Sequence, residues 1–165
     1  MLTAALSRFG TFSGLSFIHS APDDGDIATL TFHGAHYTSK YLSFAGDEWY
    51  TEDETKVLQA PASAQLALFR KYDGPPYVAA GQADGFPFVD VGNRYLSDGA
   101  QLSPSELSGL TWQQIAAGMK NPASPVGRDL DAAVSVLTAS LCKLTGGQPS
   151  SVCTSAGVRA AAGDL

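Results

Sequence analysis

The strongest constraint in this chain is a run of apolar residues at steps of three and four: Val126, Leu130, Val134, Leu137, Leu141 and Leu144. That period places all six on one stripe of an α-helix, and the stripe must be buried against something. Ser124-Pro125 ahead of it supplies an N-cap and a proline suited to the first turn. Gly146-Gly147 ends it, and Gln148-Pro149 turns the chain back toward Cys153. Thr111-Trp112-Gln113-Gln114 opens another helix with a capping box. Pro61 to Tyr72 reads as a third.

The partner for these helices is a small sheet. Phe86, Phe88, Val89 and Val91 form an apolar run of strand length, bounded by Gly85 and by Gly92-Asn93. It reads as the central buried strand, followed by a short partner strand at Arg94-Tyr95-Leu96. Pro87 has no N–H to give to a ladder, so it belongs at the entrance of that strand. Leu15 and Phe17 face one way in an earlier strand over residues 14–20. Thr29 to Phe32 and Tyr37 to Phe44 read as a hairpin turning at Gly34-Ala35. The order is helix, strand, hairpin, helix, two strands and helices, which is α/β or α+β. The expected division is a single domain over residues 1–153 and a disordered tail over 154–165, where the sequence is small and polar.

A net charge of −6, with no basic cluster, argues against nucleic acid or an anionic membrane surface as the main partner. No apolar run reaches the about 20 residues of a membrane span. Leu2, Leu6 and Phe9 fall on one helical stripe with nothing ahead of them to act as an N-cap. The opening therefore reads as the back half of a helix, and a truncated start is expected.

His19, His33 and His36 are the only histidines, and their spacing matches no zinc motif. No metal and no cofactor is expected. No G-x-S-x-G appears, and no catalytic residue is assigned. Cys142 and Cys153 flank a helix end and a Gly-Gly-Gln-Pro turn. A chain that doubles back there can meet the short separation a disulfide needs. The preferred reading is a disulfide and an oxidising compartment; the plain alternative is two buried thiols.

Four stretches carry a family resemblance: Ala5 to Leu15, Phe32 to Leu42, Phe86 to Val91, and Cys142 to Pro149 with Cys153. Together they resemble the domain of unknown function 929 family of actinobacteria. The resemblance implies a thioredoxin-like α/β fold with an inserted β-hairpin. It also implies a membrane anchor, a first strand and a Cys-x-x-Cys pair ahead of Met1, so this chain is expected to be truncated at its N-terminus. The family role it implies is extracytoplasmic or membrane-anchored thiol–disulfide exchange. This chain is expected to be inactive in that role, because it lacks the redox pair. The resemblance further implies a cis Phe86–Pro87 bond, with Phe86 and Pro87 holding an extended peptide or a protein thiol substrate. The alternative of a different class is a non-catalytic peptide- or protein-binding module.

Overall fold

The computed structural model describes residues 1–163 and 165. The architecture is mixed α/β, and among the described residues the strands make three two-stranded antiparallel sheets. Two compact units form instead of the single domain expected over 1–153. One comprises Met1–Gly46 and Leu102–Leu165, the other Asp47–Gln101. The second has its own helix and its own hairpin, which is why it clusters by itself.

In the first unit α1 (Leu2–Leu6) buries Ala5 and Leu6, and Phe9 follows them into the core. Gly10 is required where the chain then passes residues 37–39. A Cβ there would strike the Thr38 carbonyl, Ser39 Cβ at 2.7 Å and the Tyr37 ring at 2.8 Å. Strands β1 (Thr11–Ser13) and β2 (Ser16–His19) form one arm of an interrupted hairpin, and β3 (Ala28–Thr31) and β4 (His36–Thr38) form the other. Ser16 pairs with Thr31 and Ser13 with His36.

The expected hairpin turn at Gly34-Ala35 is thus a break within one arm, and the reversal lies in the Asp-rich loop before Ala28. The physical cause is a pair of facing glycines. Gly14 and Gly34 both have positive φ, and a Cβ on Gly14 would meet the Gly34 carbonyl at 2.7 Å. Phe12, Phe32, Tyr37 and Phe44 pack their rings together beside this break, with the closest centroids 4.7 Å apart between Phe12 and Tyr37. Phe44 joins by that packing and not by strand pairing, so the expected strand to residue 44 stops at Thr38.

The second unit contains α2 (Ser63–Tyr72), β5 (Phe88–Val91) and β6 (Tyr95–Asp98). Phe88 lies opposite Asp98 and Val91 opposite Tyr95. The stretch expected to be a central buried strand is instead half of a two-stranded ribbon. Only Val91 in it is fully buried, and Phe86 is 51% exposed.

The remaining helices complete the first unit. They are α3 (Trp112–Met119), α4 (Pro125–Leu144), α5 (Ser150–Cys153) and α6 (Ala156–Ala161). Both expected caps form: Thr111 and Gln114 make the capping box, and Ser124 Oγ accepts from Gly127 N. The α4 helix packs against α1, α3, α5 and α6, and from Leu137 to Cys142 every residue is buried. Burial all round leaves hydroxyls inside the core. They bond to their own helix, Thr138 Oγ1 to the Val134 carbonyl at 2.6 Å and Ser140 Oγ to the Leu137 carbonyl at 2.8 Å.

The tail expected to be disordered after Cys153 is ordered. Val158 is 1% exposed and Ala161 is buried. Small residues there permit close helix packing: a Cβ on Gly157 would lie 3.1 Å from Ser135 Oγ. No helix among the described residues is long and apolar enough to cross a membrane.

Candidate functional site

The second unit holds a cleft of about 240 Å³ with aromatic walls. Helix α2 presents Leu66, Phe69 and Arg70 to it, residues spaced so that one helical face carries all three. Phe69 is the hub. Phe86 stacks on it with centroids 5.5 Å apart and planes 5° apart, and Phe88 meets it edge-on at 5.3 Å. Trp49 and Tyr50 form a second stacked pair at 5.3 Å and 14°. Trp49 stands nearly perpendicular to Phe69, at 83° and 6.5 Å.

Local structure fixes each wall. Trp49 and Tyr50 lie on a small loop clasped by Leu58 N donating to the Trp49 carbonyl and by a bridge between Tyr50 and Val57. Inside that loop the hydroxyls of Thr51 and Thr55 donate to Asp53 Oδ1 at 2.6 and 2.7 Å. These bonds, Thr51 first, hold the Asp53 carboxyl down at about 2. Asp47 accepts from Gln59 Nε2 at 2.9 Å and from Ala62 N at 3.3 Å, which ties the arm to the start of α2.

The other wall depends on residues 84–88. Asp84 takes a left-handed φ of 63°, and Phe86–Pro87 is cis. Gly85 lets the turn lie against Asp98, because a Cβ there would lie 2.5 Å from Asp98 Oδ1 and force that carboxylate to shift. Below this turn Asp73 is 7% exposed, and neither of its carboxylate oxygens has a hydrogen-bond partner; Asp98 Oδ1 is likewise buried and unpartnered. Burial first, then the charges of Asp98 and Asp84, push the Asp73 carboxyl above its ordinary range.

Phe86 lines the cleft, and Pro87, exposed, follows it at the entrance to β5. Cys142 and Cys153 belong to the other unit. They form a disulfide with Cα atoms 5.6 Å apart, and no described cysteine is free. His19 is bound to Asp26, Nδ1 to Oδ1 at 3.0 Å, and meets the Trp112 ring edge-on. Among the described residues no three His, Cys, Asp or Glu side chains group as a metal site would require. The sequence reading missed Trp49, Tyr50, Phe69 and Arg70 as site residues. The usable signal was the pair of large rings at Trp49-Tyr50, set among the acidic residues Asp47, Glu48, Glu52, Asp53 and Glu54.

A second hollow, in the first unit, is polar and about 380 Å³. Arg8, Asp131, Ser135, Ser151 and Ser155 are among the residues that line it. Its one cation has its own partners, Thr138 at 3.2 Å and, loosely, Asp131 at 3.9 Å. Comparison with family models, with curated proteins and with solved structures gives no match to this chain.

Proposed function

We propose that this chain is a non-catalytic peptide-binding module whose docking place is the cleft beside Phe86. The observation that carries this reading is the Phe86 ring, half exposed yet held in a fixed stack on Phe69. A rigid aromatic side chain that keeps half its surface in water supplies contact area at low entropy cost. The occupant is an extended peptide segment. A shallow cleft walled by rings and rimmed by one Arg and one Asp suits an apolar or charged side chain on such a segment better than a buried small molecule.

Two features support binding without exchange chemistry. Both cysteines are engaged with each other, and Cys142 lies at the end of α4, where the helix dipole disfavours a thiolate. The same bond suits an oxidising compartment. Kinship with the thioredoxin-like domain of unknown function 929 family is part of this proposal, and it rests on the four sequence stretches alone. The two-stranded sheets here lend it no further support.

The test is a display library of random extended peptides selected on the full chain, with dissociation constants measured for the winners. Binders that lose at least tenfold in affinity on Phe86→Ala and on Trp49→Ala, with circular dichroism unchanged, are the expected result. Failure to select any peptide, or binders indifferent to both substitutions, would overturn the reading.

A further inference from the structure

We propose that the cleft selects a cationic side chain, an ammonium of the lysine type, through its aromatic faces and Asp84. This rests on the peptide-binding reading and names the chemistry that would be recognised.

The geometry gives a corner, not a flat patch. The Trp49–Tyr50 pair and the Phe69–Phe86 pair meet at close to a right angle, as the 83° between Trp49 and Phe69 shows. The face of an aromatic ring carries the negative end of its quadrupole. A cation within about 6 Å of a ring centroid is attracted by that charge, most strongly over Trp. A compact ammonium placed in the corner meets two such walls at once. The cleft, about 240 Å³, is large enough for a side-chain head group and its methylene stem.

The charge around the corner points the same way. Residues 47–101 hold nine acidic side chains against four basic ones, a formal −5, so most of the −6 of the whole chain sits in this unit. Asp84 is exposed and lines the cleft. Behind it, the buried oxygens of Asp73 and Asp98 have no donor of their own. Arg70 is the opposing group. It also lines the cleft, and as a like charge it weakens binding of any cation. That opposition makes the proposal sharply testable, because removing Arg70 should help a cation and harm an anion.

The experiment uses the full chain and two peptides from the selection above, identical except at one position. One carries trimethyllysine there, the other its uncharged isostere with a tert-butyl carbon in place of the trimethylammonium. Binding is followed by the indole N–H resonance of Trp49. The charged peptide is expected to bind about 2- to 30-fold more tightly. Phe86→Leu, which keeps the apolar bulk and removes the ring, should reduce that ratio. So should Asp84→Asn, which keeps a residue tolerant of the left-handed backbone. Arg70→Gln should tighten the charged peptide alone. Equal binding of the two peptides, or weaker binding of the charged one after Arg70→Gln, overturns the cation inference while leaving the peptide reading intact. If no peptide binds at all, the peptide reading falls, and titration with tetramethylammonium decides the inference separately. A saturable Trp49 shift that Phe86→Leu abolishes supports it, and no shift overturns it.

Discussion

Arg8 Nη1 donates to Thr138 Oγ1 at 3.2 Å, across 130 positions of sequence. Thr138 is fully buried and spends its own proton on the Val134 carbonyl, so its lone pair is free to receive the guanidinium. The contact pins the segment after α1 to the middle of α4. Asp131 Oδ1 is 3.9 Å from the other guanidinium nitrogen and half exposed, which is a weak pairing.

The consequence is a ranking of substitutions. Thr138→Val keeps the side-chain shape but removes the acceptor, and should cost about 1–2 kcal/mol. Asp131→Ala should cost no more than about 0.5 kcal/mol. Urea unfolding of the two variants checks the order. A larger loss for Asp131→Ala would mean that the ion pair, and not the buried hydroxyl, anchors Arg8.

The Cys142–Cys153 bond joins the last turn of α4 to α5 across a separation of 11 residues. Loop-closure entropy for so short a loop gives about 3 kcal/mol of stabilisation. Replacing both cysteines by alanine should remove roughly that amount from the first unit. Thiol titration of the unreduced, denatured protein should find no thiol. The chain should also fail to accelerate insulin reduction by dithiothreitol above the protein-free rate. Acceleration that Cys142→Ser abolishes would show that the bond opens and exchanges.

How much of this was legible in the sequence varies with the range of the forces involved. Helices α3 and α4 were readable because caps and periodicity are local: Thr111 with Gln114, Ser124 with Pro125, and the leucines at steps of three and four. The hairpin was misread because pairing is not local. Gly34-Ala35 has the composition of a turn, but Gly14 on the opposite arm decides that it serves as a break. The tail was misread because small residues look the same whether they are disordered or pressed against a helix, as Gly157 and Val158 are. Of the two residues expected from the sequence to hold a peptide, Phe86 lines the cleft and Pro87 does not. Phe69 and Trp49 were not picked out from the sequence, since only tertiary packing brings their rings to Phe86.

Asp73 sets the expected pH behaviour of the second unit. Its carboxyl is buried, lies in the field of Asp98 and Asp84, and has no hydrogen-bond partner. The amides of Asp84 and Gly85 lie near enough to offset part of that field, but neither is in bonding geometry. Burial, the largest cause, and the two charges raise its pKa above the ordinary 3.8. The folded state therefore holds the proton to higher pH than the unfolded chain does. Between 3.8 and the raised value the folded state binds more protons, so stability must fall as pH rises through that window. Above the window the full cost of an ionised, unpartnered carboxylate remains. Asp73→Asn removes the charge at nearly constant shape, and should flatten this slope and stabilise the unit at neutral pH by about 1 kcal/mol. Hydrogen exchange of the β5 and β6 amides, measured across the window in both proteins, reads this unit directly. An unchanged slope in Asp73→Asn would show that Asp73 is not the group that carries the pH dependence of this unit.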